Sequence, residues 1–92
     1  MTHELKSWRE GFEPVWRGEK TAEFRHDDRC FMEGDTLLLR EWVPKACEYT
    51  GREIMVIVTH VQRGFGIPET HAMLSIRVLS LRDAPSGGPS AR

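Results

Sequence analysis

The sequence predicts a small α+β protein, a mixed β-barrel of about five strands with one or two short helices. Three observations lead to this fold class. Five segments have the spacing of strands, one early segment has the spacing of a helix, and short polar turns separate them. A chain of 92 residues is long enough for one domain, which we place at residues 1–82. We expect the sheet to curl and the helix to fill its open edge.

The first strand and the start of the helix are expected within the first ten residues. "HELK", from His3 to Lys6, alternates between two faces as a strand does. In the following "SWRE", Ser7 is placed to cap a helix and Glu10 to return the hydrogen bond. The chain is therefore expected to change from strand to helix at Ser7.

The predicted helix carries an apolar stripe and a proline. Because Pro14 removes a backbone hydrogen bond and clashes with the preceding turn, we expect either a kink near Glu10 or Gly11 or a helix that starts at about Glu13. Gly18 predicts the end of the helix. The stripe that should face the core comprises Trp8, Phe12, Val15 and Trp16.

Four further strands are predicted after the helix. The second strand covers Thr21–His26, and the third, rich in leucine, begins at Thr36 after the turn "EGD". "VPKACEYTGR" predicts a loop and hairpin in which Gly51 takes the positive φ of a tight turn. Glu53–Val61 is β-branched and continuously apolar, which indicates a central strand covered on both faces. His71–Leu81 is the last strand.

Composition and charge argue against several classes of protein. A net charge of −1 gives no global positive field, which disfavours tight non-specific binding to duplex nucleic acid. Cys30 and Cys47 have no further ligands at metal-binding spacing, so we expect two reduced, half-buried thiols and no metal site. We find no signal peptide or membrane span and expect a cytoplasmic protein without a cofactor. Residues 83–92 lack large apolar side chains, which predicts a disordered tail.

The segment "GEKTAEFR" concentrates charge where the helix gives way to a strand. Strand alternation places Glu23 and Arg25 on one face and the apolar residues of the segment on the other. Lys20 has the wrong parity for that face, but its long side chain can reach round from the turn. The segment is therefore either an ordinary solvated face with a surface ion pair or the wall of a binding site.

An ordered series of motifs resembles ASCH domains, which belong to the PUA-like superfamily of small β-barrels. The ASCH signature G-x-K-x-x-E-x-R is met by Gly18, Lys20, Glu23 and Arg25. Within ASCH domains the chain is similar to a small bacterial and phage branch of unknown function, which carries "HELK", "DR-x-F", "GD-x-L-x-L-x-E" and "YTGR". The resemblance covers roughly residues 3–78.

The resemblance implies a binding groove beside the barrel, near the junction of the helix and the second strand. PUA-like domains commonly bind RNA and some relatives read modified bases, so RNA or a nucleotide is the expected partner. A separate ASCH branch, the N4-acetylcytidine amidohydrolases, uses a Lys, a Thr and a Glu. Its Lys matches Lys20, but Glu23 stands at the position of the Thr, and the downstream Glu has no counterpart here.

Five candidate residues have distinct expected roles in nucleotide binding. Lys6, Lys20 and Arg25 would hold a phosphate, the guanidinium through a bidentate contact. Glu23 would accept a hydrogen bond from the exocyclic amine of cytosine or adenine, or pair with one of the cations. Trp8, at the end of an element, would stack on a base.

Asp28 and Arg29 complete the candidate nucleotide-binding residues. Asp28 either holds Arg25 or Arg29 in position or forms a turn. The downstream "RGFG" loop does not match the spacing of a phosphate-binding loop. We expect it to be a mobile flap over the groove.

Two alternative functions remain open. In the first alternative, the domain would be a small hydrolase that acts on a modified nucleoside or on RNA. A desolvated Lys20 would be its base or nucleophile, and Glu23 its proton donor. Alternatively, it is a protein-interaction domain, for instance a phage-encoded one, in which the charged cluster is an ion-pair network.

Overall fold

The computed structural model describes residues 1–83 and contains five strands and one helix. The elements are β1 (Thr2–Trp8), α1 (Arg9–Trp16), β2 (Ala22–His26), β3 (Thr36–Val43), β4 (Glu48–Gln62) and β5 (His71–Arg82). The predicted disordered tail, residues 83–92, lies outside the described residues apart from Asp83. Within residues 1–83, the eight-residue α1 is far shorter than a helix that crosses a bilayer must be.

The strands form one mixed sheet that curls into a half-barrel. Its order is β1-β3-β4-β5-β2, with β1 and β3 parallel and the other pairs antiparallel. In the described part of the chain, β1 and β2 are the two edges and do not pair with each other. The α+β class and the five-stranded mixed sheet are therefore confirmed, but hydrogen bonds do not close the sheet into a barrel. We call the gap between the two edges the seam.

One face of the sheet carries the hydrophobic core. Ile54, Val56 and Val58 of β4 point inward and are fully buried, whereas Met55 on the other face is partly exposed. The expectation that this strand is covered on both faces is wrong, because a half-barrel with one helix has a single interior. The rest of the core comprises Leu5, Phe12, Val15, Phe31, Leu37, Leu39, Ala72, Leu74 and Ile76.

The helix starts at Arg9, which is later than the predicted cap at Ser7 and earlier than the alternative start at Glu13. Ser7 still belongs to β1, and Trp8 occupies the N-cap position without a side-chain hydrogen bond. The helix contains Pro14, so the alternative start at Glu13 is wrong as well. Pro14 is tolerated near the end of a two-turn helix, where little helical structure depends on its missing N–H. Gly18, with φ 78°, follows the helix end as predicted.

The connection between β3 and β4 also differs from the expectation. The turn ends at Cys47, which has φ 51°, four residues before Gly51. Gly51 does take a positive φ of 99°, but it lies inside β4 opposite the register shift between Arg40 and Trp42. Its conformational freedom therefore serves a β-bulge rather than the tight turn. Cys30 and Cys47 are both free and exposed, not half-buried.

A buried ion pair fastens α1 to the sheet. Glu41 of β3 is fully buried, and its two oxygens accept hydrogen bonds from Arg52 (both 2.9 Å), Thr50 (2.8 Å) and Arg9 (3.2 Å). Arg52 also donates to Glu13 of α1 at 2.6 Å and lies against two aromatic rings of that helix. The position of α1 therefore depends on charged side chains as well as on its apolar stripe.

These contacts keep the buried carboxyl group of Glu41 ionised. Burial by itself raises the pKa of a carboxyl group, but the hydrogen bonds from Arg52, Thr50 and Arg9 outweigh it and lower the pKa of Glu41 from 4.5 to about 2. The hydrogen bond to Glu41 in turn raises the pKa of Arg52. The pair is therefore fully charged at neutral pH.

We expect this ion pair to contribute stability that is lost in acid. Because the folded pKa of Glu41 is about 2 and its ordinary value is 4.5, the unfolded chain takes up the proton first, and the contribution declines as the pH falls from 4.5 towards 2. Glu41→Gln should lower the free energy of unfolding at pH 7 by about 3 kcal/mol. It should also flatten the acid limb of the stability profile, measured by urea denaturation across this pH range.

Glu48→Gln is the matched control, since Glu48 is exposed and the same chemical change there should stay within about 0.5 kcal/mol. Asp35, whose pKa is lowered chiefly by its hydrogen bond with His3, should give both variants a residual acid sensitivity. Equal unfolding midpoints for the two variants at pH 7 would show that Glu41 does not fasten α1.

Candidate functional site

A cleft of about 600 Å³ opens on the seam, where β1, α1 and β2 meet. We call it the first cleft. Its volume lies within the range of small-molecule and cofactor pockets. It is lined by residues 6–8 of β1, residues 10 and 11 of α1, Lys20, and residues 23–25 of β2. Three cationic and two carboxylate side chains among them give a formal charge of +1.

Glu23 is the buried carboxylate of this cleft, with a side chain 4% exposed. Its Oε1 accepts a hydrogen bond from Nε of Arg25 at 3.0 Å and lies 2.9 Å from Nη2 of the same guanidinium. Its Oε2 lies 3.1 Å from the ammonium of Lys20, within ion-pair distance, but no group of residues 1–83 donates an aligned hydrogen bond to it. Buried polar atoms without an aligned hydrogen bond are rare. Oε2 is therefore able to accept a further hydrogen bond.

The inward direction of Glu23 follows from the position of β2 at an open edge. Glu23 and Arg25 point to the inside of the sheet, whereas Phe24 is half exposed and stacks on His71 at 5.0 Å between ring centroids. On an interior strand this pattern would bury charge against the core. At the seam the inside of the strand faces the cleft instead, so the charged face is accommodated.

Lys20 is held close to Glu23 by the turn after the helix. The backbone N–H groups of Glu19 and Lys20 both donate to the carbonyl oxygen of Pro14, at 2.8 and 3.1 Å. The ammonium then reaches Glu23 and lies 3.5 Å from the carbonyl oxygen of Gly11. The side chain is 37% exposed and is therefore open to solvent within the cleft.

Arg25 bridges the two edges of the sheet. Besides its two contacts with Glu23, its Nη1 donates to the carbonyl oxygen of Lys6 across the seam at 3.2 Å. Two of the five guanidinium N–H groups thus donate hydrogen bonds to protein atoms, and Nη2 lies at ion-pair distance from Glu23. The forked face expected to hold a phosphate is turned towards Glu23, and Arg25 positions that carboxylate.

Lys6 does not place its ammonium in the cluster of Lys20, Glu23 and Arg25. Lys6 is exposed on the outer face of β1, and its ammonium lies 4.0 Å above the ring of Trp42. It contributes to the first cleft mainly through the carbonyl oxygen that Arg25 uses. The expected convergence of three cations is therefore reduced to two.

Trp8 lies on the rim of the first cleft, at the junction of β1 and α1. Its side chain is among the exposed large apolar groups, at 58%. It also lines a neighbouring cleft of about 380 Å³. A tryptophan in such a position has aromatic surface available to a ligand.

Asp28 and Arg29 lie outside the first cleft, in a turn that lines a smaller cleft of about 230 Å³ beyond Arg25. Within residues 1–83, Asp28 makes no hydrogen bond or ion pair to either arginine, so the turn-forming alternative fits and the bracing one does not. The bracing carboxylate at this end of β2 is Asp27, which accepts hydrogen bonds from Arg63 at 2.6 Å and from the N–H of Phe31 at 3.0 Å.

The "RGFG" loop does not cover the first cleft. None of residues 63–69 lines it. Arg63 instead ties the loop to Asp27 and to the carbonyl oxygen of Phe31, at the opposite end of β2. The expectation of a flap is therefore wrong, because the β4–β5 connection lies at the other end of the half-barrel.

Four further residues line the first cleft that were not predicted from the sequence: Ser7, Glu10, Gly11 and Phe24. Ser7 was expected to cap the helix, but it shares the buried face of β1 with His3 and Leu5. Extending that alternation by two residues would have placed it in the strand.

Within residues 1–83, no three His, Cys, Asp or Glu side chains come together as a metal site.

Two sequence comparisons bear on the identity of the chain. A protein from Escherichia phage P2, "Uncharacterized 12.9 kDa protein in GpA 3'region", is 44% identical over 59 residues, which make up 64% of this chain and 52% of that relative. The match thus spans about half the length of the phage protein. Residues 2–76 match the family described as "Domain of unknown function (DUF3850)". Since this match covers most of the sequence, the chain belongs to the DUF3850 family.

Proposed function

We propose that the first cleft binds one nucleotide of RNA, in a single strand or carrying a modified base. The observation that carries this proposal is the buried Oε2 of Glu23, which has no aligned hydrogen-bond donor and lies beside a partly exposed lysine. A ligand with an amine donor and a phosphate would satisfy both groups. Nucleotides of cytosine and adenine have this chemistry.

Base recognition in this proposal combines stacking with one directional hydrogen bond. The exposed Trp8 provides a surface on which a base stacks, and Glu23 accepts a hydrogen bond from its exocyclic amine. Arg25 holds Glu23 in place through Oε1, which leaves Oε2 for the ligand. Single-stranded or flipped-out nucleotides fit best, because their base edges are free.

Phosphate binding is assigned to Lys20, which must first move away from Glu23. Its ion pair joins a partly exposed ammonium to a buried carboxylate, so breaking it without a replacement would cost on the order of 3 kcal/mol. A phosphate offers the ammonium a new partner, while the amine of the base replaces it at Oε2. The ammonium of Lys20 thus exchanges its ion pair with Glu23 for one with the phosphate. Oε2 of Glu23 is then free to accept a hydrogen bond from the base.

The resemblance to ASCH and PUA-like domains supports the same class of ligand. Those domains commonly bind RNA, and the residues of the shared G-x-K-x-x-E-x-R motif lie at the first cleft: Lys20, Glu23 and Arg25 line it, and Gly18 precedes them in the turn after α1. The small half-barrel is compatible with that superfamily.

Hydrolysis of a modified nucleoside is a second candidate, favoured by the 3.1 Å contact between Lys20 and Glu23 inside the cleft. A lysine that acts as a base or nucleophile must be uncharged. Lys20 is 37% exposed and lies beside a carboxylate rather than desolvated between cations, which makes binding the better-supported function.

Glu23→Gln should change which base the protein prefers. A carboxylate only accepts hydrogen bonds, whereas an amide also donates, so the variant should bind CMP more weakly and UMP more tightly. We expect the CMP-to-UMP affinity ratio to fall about tenfold, as for one lost base contact. Isothermal titration with each nucleotide measures it, and Glu69→Gln, an exposed position, is the matched control. An unchanged ratio in a folded Glu23→Gln protein would contradict the proposed role.

Substitutions of Lys20 should separate binding from hydrolysis. In a binding protein, Lys20→Arg keeps the charge and should stay within about threefold of the wild-type affinity, whereas Lys20→Ala should lose about tenfold. A lysine-dependent hydrolase should lose turnover in both variants. Parallel assays of CMP affinity and of N4-acetylcytidine hydrolysis distinguish the two. Turnover by the wild type that both variants abolish would favour the hydrolase.

Trp8→Ala should weaken RNA binding without unfolding the domain. Loss of one stacking contact costs about 1–3 kcal/mol, and Trp8→Phe should retain most of the affinity. Fluorescence anisotropy with a labelled tetranucleotide is the measurement. Phe65→Ala is the matched control, because Phe65 is 94% exposed and lies away from the cleft. Equal affinities for Trp8→Ala and Phe65→Ala would exclude stacking on Trp8.

A further inference from the structure

We propose that the domain reads two consecutive nucleotides of one RNA strand, and that the second base binds in an apolar cleft on the other side of Trp8. This inference rests on the proposed function of the first cleft and extends it to a second subsite. The second cleft, of about 380 Å³, is formed by Trp8, Arg9 and Glu10 together with the end of β3 and the following turn, Trp42 to Lys45.

The walls of the second cleft suit a base rather than a whole nucleotide. Two tryptophans, Val43 and Pro44 supply apolar surface, and the volume is smaller than that of the first cleft. Planar bases bind to such surfaces by stacking, with little dependence on sequence. The first cleft would then select the base, and the second would add affinity.

Trp8 makes the two clefts continuous. It lines both of them, as does the neighbouring Glu10. Its ring is more than half exposed between the clefts, so it can contact a base on either side. Neighbouring bases of one strand are joined by a single phosphodiester, and a shared wall is the arrangement that a dinucleotide requires.

Positive charge lies where the phosphates of such a strand would run. Lys6 lines the first cleft, and its ammonium rests 4.0 Å above Trp42, which lines the second. Lys45 is exposed in the turn at the far wall and has no ion pair within the described residues. Lys6 is therefore placed for the phosphate between the two bases, and Lys45 for the phosphate beyond.

This charge favours RNA over an apolar peptide as the occupant. An apolar peptide side chain would use the tryptophans but would offer no anion to Lys6 and Lys45. A nucleic acid strand uses both features and also continues directly from the first cleft.

The experiment compares CMP, the ribodinucleotide CpC and the deoxyribodinucleotide dCpdC by quenching of intrinsic tryptophan fluorescence. Wild-type protein should bind CpC about tenfold more tightly than CMP. Lys45→Glu should remove most of this gain while leaving CMP affinity within about twofold. Arg77→Glu, an exposed position remote from both clefts that changes the net charge equally, should keep the gain. Tighter binding of CpC than of dCpdC would assign the site to RNA, and the reverse would overturn that assignment.

The outcomes separate this inference from the proposed function. If CMP binds in a manner sensitive to Glu23→Gln but CpC binds no more tightly, only the second subsite is refuted. A gain that persists unchanged in Lys45→Glu also overturns it. If no probe binds, both proposals fail together. N-acetyltryptophanamide is itself fluorescent and is titrated by calorimetry; if it binds more tightly than CpC, and equally well to Lys45→Glu, the second cleft is instead a site for a protein partner.

Discussion

Burial of carboxylates inside the half-barrel is the constraint on which this structure depends. A buried carboxylate is tolerated only when cations and hydrogen-bond donors compensate for the lost water. Glu41 meets this requirement fully, because Arg52, Thr50 and Arg9 saturate both of its oxygens. Glu23 accepts an aligned hydrogen bond on one oxygen only, and its other oxygen has the ammonium of Lys20 at 3.1 Å but no aligned donor. Glu41 and Glu23 thus both lie on the inside of one sheet but differ in their contacts. Glu41 holds the helix in place, and Glu23 retains an oxygen that can accept a hydrogen bond from a ligand.

The open seam explains why the incompletely paired carboxylate can exist. A closed barrel would place Glu23 against apolar side chains, where its second oxygen would carry the full cost of desolvation. Because β1 and β2 remain unpaired in the described structure, the inside of β2 faces a cleft. The side chain of Arg25 crosses this gap where no backbone hydrogen bond does, and it links the two edges through the carbonyl oxygen of Lys6. The sheet topology thus creates the site, and one guanidinium maintains it.

Much of the fold followed from the sequence, because its strands carry clear apolar patterns. The five strands and the helix end at Gly18 are local features of this kind. The sequence also indicated that Lys20, Glu23 and Arg25 would lie together. Strand alternation placed Glu23 and Arg25 on one face, and the G-x-K-x-x-E-x-R motif contains all three residues. The direction of Lys6 depends on the ring of Trp42, a residue far away in sequence, and no local pattern encodes it. The cap at Ser7 failed for a related reason, since pairing of β1 with β3 extends the strand beyond the local helix signal.

The topology has a consequence for when the site comes into being. The edges that form it, β1 and β2, follow one another closely along the chain, yet they stand at opposite ends of the strand order with three strands between them. β1 and β2 can therefore come together only after β3, β4 and β5 have paired between them. A partly assembled chain has the residues of the site but not its shape. A ligand of the proposed site would stabilise all five strands at once, because only the assembled sheet has the shape of the cleft.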